Sequence, residues 1–159
     1  MFTVVLVIIS PQQNPATNSD MLIGALLRVP TEAIFRRIVR ELNAAGFEGI
    51  SLALIAVLRY PGPDGERPSV LAERAGISKQ AVNRLLGSLE DLGYLKRTDA
   101  SDEGRARIVR FTRRGHAAWM KVIEILSDIE HEWIAELGKK DFAQLKKLLI
   151  HVWESPLIR

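Results

Sequence analysis

The sequence predicts a mainly α-helical fold carrying one small β-hairpin, and three observations lead there. Apolar residues recur three or four apart over most of the chain, the spacing that lines one face of a helix. Two stretches, Tyr94–Arg97 and Arg107–Thr112, depart from that period, and a polar segment containing Asp99, Asp102 and Gly104 separates them as a turn separates paired strands. Gly46, Gly76, Gly93 and Gly138 fall where periodic runs stop, so the elements have readable ends. With 159 residues, 47% hydrophobic and 26% charged, the chain is long enough and apolar enough to fold around one core, or around a core shared between two subunits.

Residues 1–18 read as an apolar extension and linker. Phe2–Ile9 is uncharged and apolar, but no basic segment precedes it, it is too short to cross a bilayer, and Ser10-Pro11 follows at once. Neither a signal peptide nor a membrane anchor is expected; a short strand and a loose extension both fit. From about Ser19 to Ala45 a helix is predicted, with Leu22, Leu26, Val29, Ala33, Ile38 and Leu42 near one stripe, Ser19 or Asp20 as its cap and Pro30 inside it as a kink. Ser51–Arg59 is apolar almost all round, the pattern of a buried helix, and it stops at Tyr60-Pro61 before the turn cluster Gly62-Pro63-Asp64-Gly65.

A short helix follows from Ser69 to Ala75, then a tight turn at Gly76-Ile77, then a longer helix capped by Ser78 and ended by Gly93. After the hairpin, two helices close the chain: Arg113 to Leu137 with Trp119, Val122, Leu126, Ile129 and Trp133 on a stripe, and Lys139 to Trp153 with Phe142, Leu145, Leu148, Leu149 and Val152. Helix, Gly-containing turn, helix and charged hairpin is the order of a winged helix-turn-helix. The fold class is therefore mainly α with a small β-hairpin wing. Residues 49–112 are expected to form a DNA-binding region, and 19–48 with 113–159 dimerisation helices. The apolar stripes at both ends expose more than a monomer of this size would cover, which is why a homodimer is expected.

Charge supports a polyanion as partner. Between Gly76 and Gly115 nine cations face five anions, so this stretch carries +4 and the rest of the chain −1 of the total +3. On the longer helix Val82, Leu85, Leu86 and Leu89 belong to the core, leaving Lys79, Gln80, Asn83 and Arg84 outward. Gln or Asn suits adenine and Arg suits guanine in the major groove. Ser69 and Ser78, at helix starts, offer hydroxyl and N–H groups to phosphates. In the wing, Arg105 beside Gly104 and Arg107 two residues on are candidates for the minor groove. Asp99 or Asp102 is expected to hold one of these arginines by a bidentate ion pair.

The run Leu71-Ala-Glu-Arg-Ala-Gly-Ile-Ser-Lys-Gln-Ala-Val-Asn-Arg-Leu-Leu, then Leu89-Glu-Asp-Leu-Gly-Tyr-Leu-Lys-Arg, then Asp99-x-x-Asp102 with Arg105-Ala-Arg107 and Thr112-x-x-Gly115, resembles the multiple-antibiotic-resistance regulator (MarR) family from about Met21 onward. The resemblance implies a homodimer with interleaved terminal helices, a palindromic double-stranded DNA operator, and repression relieved by a small aromatic or amphipathic effector. It places that effector between the dimerisation helices and the winged region, at Arg36, Arg59, Tyr60 and Trp119. Glu103, an extra wing residue, and the apolar run before Ser10 depart from the family pattern.

Other functions find little support. His116, His131 and His151 are scattered without metal-ligand spacing, so no metal, cofactor or catalytic residue is expected, and no phosphate loop or nucleophile elbow is present. Cysteine is absent, which excludes disulfides and thiol switches and fits a reducing, cytoplasmic setting. The alternative to a regulator is a winged-helix protein-interaction module that does not read DNA sequence.

Overall fold

The computed structural model describes residues 21–59, 61–62, 64–99 and 107–156, and the chain divides into two compact units, 1–33 and 34–159. Helix α1 (Ile23–Ala44) begins in the first unit. There an Arg28–Glu32 ion pair of 2.9 Å runs along its surface, and the Thr31 hydroxyl donates to the Leu27 carbonyl at 2.7 Å. Pro30 lies inside the helix, where its missing N–H deprives the Leu26 carbonyl of the usual donor. Leu22, Ile23, Leu26, Leu27 and Val29 are all exposed. The predicted caps, Ser19 and Asp20, lie outside the described residues.

In the second unit the later part of α1 supplies Ile38 and Leu42 to a core, so the stripe read along this helix is buried only at its end. The helix ends as its glycine predicts: Gly46 takes a φ of +86°, and the Phe47 N–H bonds the Leu42 carbonyl at 3.0 Å. Helix α2 (Leu52–Leu58) is capped by Ser51, whose Oγ accepts from the Leu54 N–H at 3.4 Å; Leu54, Ile55, Val57 and Leu58 are buried. Then come α3 (Pro68–Ala75), α4 (Lys79–Asp91), the antiparallel strands β1 (Leu95–Asp99) and β2 (Arg107–Phe111), α5 (Arg113–Leu137) and α6 (Lys139–Trp153). The hairpin register runs from Leu95 opposite Phe111 to Asp99 opposite Arg107. Leu58, Leu71, Val82, Leu86, Leu89, Val109 and Ile125 are fully buried, each contributing about 1.5–3 kcal/mol through removal from water.

A strand partner absent from the sequence reading joins the hairpin. Glu66 lies just past the turn cluster and exchanges two backbone hydrogen bonds with Val109, of 2.9 and 2.8 Å. Its carboxylate also pairs with Arg74 on α3 at 3.2 Å. The entrance to α3 is thereby fastened to the wing.

The junction into α5 explains the Thr-x-x-Gly spacing. Thr112 Oγ1 accepts from the Gly115 N–H at 3.0 Å and donates to the Gly93 carbonyl at 2.6 Å, capping one helix while closing the end of another. A Cβ at residue 115 would collide with the Tyr94 carbonyl oxygen, so only glycine fits. Tyr94, fully buried, donates its hydroxyl to the Glu48 carbonyl at 2.9 Å, and Arg114 bonds both the Tyr94 hydroxyl and the Gly46 carbonyl at 3.2 Å. Farther along α5, Glu132 receives Arg37 of α1 in a two-bond fork of 2.5 and 2.8 Å, and Arg37 also bonds Glu41 at 2.7 Å. The Arg37 hydrogen bonds hold the Glu132 carboxyl below its ordinary range.

Candidate nucleic-acid interface

Helix α3 starts one residue before the predicted Ser69. Pro68, whose ring presets a helical φ, takes the first position, with Arg67 as a cap that makes no side-chain bond. Ser69 is therefore an exposed residue of the first turn rather than the residue that opens the helix. Gly76 ends α3 in the left-handed conformation, φ +65°, which turns the chain sharply into α4 at little cost for a residue without Cβ. Ser78 caps α4 as read from the sequence, its Oγ accepting from the Ala81 N–H at 3.1 Å. Ser69, Ser78 and Lys79 line one groove at this turn.

On α4, Val82, Leu86 and Leu89 are buried and Leu85 packs half-buried against them, which rotates Lys79, Gln80, Asn83 and Arg84 to the exposed side. Among the described residues no side-chain hydrogen bond or ion pair holds Lys79, Gln80 or Arg84, so their polar ends are available. Asn83 differs. Its Nδ2 donates to the Lys79 carbonyl at 2.8 Å, and its Oδ1 accepts from Arg97 at 3.4 Å, so its amide is occupied at both ends.

Two wing cations escaped the residue-level reading. Lys96 and Arg110 are directly opposed in the antiparallel register and both exposed, so one face of the hairpin presents two like charges side by side. Such a pairing destabilises a bare hairpin and suits a surface that meets an anion. Alternation along the strands gives this signal once the register is known; the sequence supplied only the excess of charge. Arg105, Asp102 and Glu103 lie outside the described residues. Arg107 opens β2 opposite Asp99, and the side chains of both are outside the described set, as is the ion pair expected there.

Residues 51–106, which hold α2, the helix-turn-helix and the first wing strand, match the MarR family. Over that stretch the chain is similar to the MarR family, and its fold is the winged-helix fold of solved MarR-family structures. No curated protein matches it. Solved structures do, over nearly their whole length. The transcriptional regulator Tm0710 from Thermotoga maritima is 25% identical, with 82% of this chain and 90% of that one covered and a TM-score of 0.58. A MarR transcriptional regulator from Methanosarcina mazei Go1 is 19% identical, covering 85% and 96%, with a TM-score of 0.71. The Mycobacterium tuberculosis MarR family protein Rv2887, in complex with salicylic acid, is 23% identical, covering 84% and 97%, with a TM-score of 0.63.

The residues assigned to an effector site are spread over three elements of the chain. Arg36 on α1 is exposed, and the Arg59 guanidinium stands 5.8 Å from the ring centre of its neighbour Phe35. Trp119 on α5 packs half-buried against the core, and Tyr60 lies outside the described residues. A different cavity, of about 230 Å³, is lined by Ile34, Leu126, Ile129, Trp133, Phe142 and Leu149, with the Lys146–Glu130 ion pair of 3.0 Å among its walls. It includes Trp133, from the apolar stripe read along α5, and none of the four assigned residues. Among the described residues no helix is long and apolar enough to cross a membrane.

Proposed function

We propose that the chain is a cytoplasmic transcriptional regulator that binds a palindromic double-stranded DNA operator as a homodimer and represses until a small effector binds. The observation that carries this reading is the outer face of α4. A helix capped at Ser78 and anchored by Val82, Leu86 and Leu89 offers Gln80 and Arg84, chemically suited to adenine and guanine edges, with no competing side-chain partner among the described residues. Ser69, Ser78 and Lys79 would grip the phosphates beside it, and the wing would follow the backbone with Lys96, Arg110 and the arginines 105 and 107. Residues 49–112 then bind DNA and 19–48 with 113–159 dimerise. Salicylic acid bound to the M. tuberculosis relative favours a small aromatic or amphipathic effector, for which Arg36, Arg59, Tyr60 and Trp119 remain the assigned contacts. Mobility shifts with genomic fragments test the proposal: one discrete, competitor-resistant complex is expected. Equal retardation of every fragment favours a winged-helix module without sequence readout.

A further inference from the structure

Arg97 lies on β1 at the root of the wing, and its described bonds all run to α4. Its backbone N–H donates to Glu90 Oε1 at 3.0 Å; its Nε, buried from solvent, makes no hydrogen bond among the described residues but lies within ion-pair distance of Glu90 Oε2, at 3.4 Å. One terminal nitrogen, Nη2, reaches both the main-chain carbonyl of Asn83 at 3.3 Å and the Asn83 Oδ1 at 3.4 Å. Asn83 and Glu90 are two turns apart on the helix, so a single guanidinium from the wing joins groups borne by positions about 10 Å apart along α4. The side chains of Arg97 and Glu90 are only 25% and 27% exposed, which shields the pair from the screening that weakens surface ion pairs.

We propose that Arg97 is a positioning residue for DNA reading, not a DNA contact: its pairing with Glu90 and Asn83 sets the wing against α4 and holds the Asn83 amide on its own helix, leaving Gln80 and Arg84 to read bases. The proposal rests on the reading of α4 as the DNA-reading helix. It also corrects the simplest view of Arg97, that a cation in a basic stretch neutralises phosphate, and it moves Asn83 from base reader to part of the support.

The test compares two duplexes, one enriched from a randomised library by the wild-type protein and one of random sequence, over a range of salt concentrations. Arg97→Lys keeps the charge but loses the planar fork that reaches two residues at once. The ratio of affinities for selected over random DNA should fall roughly tenfold, the worth of a charge-assisted hydrogen-bond set, with the salt slope unchanged. Glu90→Gln then separates the clamp from the field. Removing a carboxylate near a polyanion strengthens binding through charge alone, whereas loss of the clamp weakens binding to the selected duplex even as the protein becomes more positive. Combined, the two changes should cost little more than either alone.

Selected-duplex affinity equal to wild type in Arg97→Lys, or raised in Glu90→Gln, overturns the proposal. Thermal midpoints check that both variants fold, and Glu90→Gln, nearly the same shape, decides the matter if Arg97→Lys does not. A wild-type protein that enriches no sequence overturns the regulator reading and this inference with it; one that enriches a sequence while both variants match it overturns this inference alone.

Discussion

Helices α4 and α6 carry similar apolar stripes and meet different fates. On α4, Val82, Leu86 and Leu89 are buried within the chain, and what remains outside is polar. On α6 only Phe142 is buried, while Leu145, Leu148, Leu149, Ile150, Val152 and Trp153 stay exposed, Trp153 by 72%. A stripe satisfied inside its own chain frees the opposite face for recognition. One left open is a surface that a soluble protein covers with a partner, and the proposed second copy supplies it. The same periodicity in sequence thus marks a core in one place and an open apolar face in the other.

The comparison can be broken most forcefully at its buried end. Leu86→Ala should destabilise the fold by about 2–5 kcal/mol, the range for a fully enclosed leucine whose cavity cannot collapse, measured by denaturant unfolding. Leu148→Glu, on the exposed stripe, should leave the protomer folded by circular dichroism yet shift sedimentation from dimer to monomer. If Leu148→Glu remains a dimer, the α6 face is not the interface.

Arg84→Ala sharpens the other side of α4. It should cost roughly 1–3 kcal/mol on the selected operator and much less on random DNA, since a base contact contributes to discrimination. Equal losses on both duplexes would make Arg84 a phosphate contact. Smaller again is the wing: Arg105→Ala or Arg107→Ala should lower the salt slope by about one with little change in preferred sequence, and unchanged slopes in both would remove these arginines from the interface.

The smallest effect belongs to the α1–α5 ion pair. Because Arg37 holds the Glu132 carboxyl low, its contribution is present above the ordinary carboxylate range and fades as pH falls through the lowered value. Stability of wild type over Glu132→Gln should therefore narrow on acidification. A gap that widens instead would contradict the assignment.

Much of the fold was legible because local signals agreed. Gly138 between two long periodic runs marks the α5–α6 boundary, and Ser78, Gly76 and Gly93 delimit α4 through caps that involve only neighbouring backbone. Thr112 and Gly115 were visible as a motif, although the reason for the glycine, the approach of the Tyr94 carbonyl, needed the third dimension. What the sequence hid depends on residues far apart in the chain. Glu66, next to the turn cluster, gave no strand signal, because its strand partner lies beyond α3 and α4. Ser69 was read as the start of its helix, but Pro68, whose ring presets a helical φ, enters the helix before it. Asn83 was read as free from its place on the outer face, and only the return of Arg97 across the helix shows its amide engaged. The α1 stripe misled for a related reason, since periodicity reports a helical face and not what covers it.

The most direct measurement for the central claim is selection of bound duplexes from a randomised library by the purified full-length protein, followed by sedimentation of the complex with the selected site. A palindromic sequence with half-sites about 10 base pairs apart or a multiple of that, bound by two protomers, is the predicted result. Failure to enrich any sequence, or a single protomer on an asymmetric site, would contradict it.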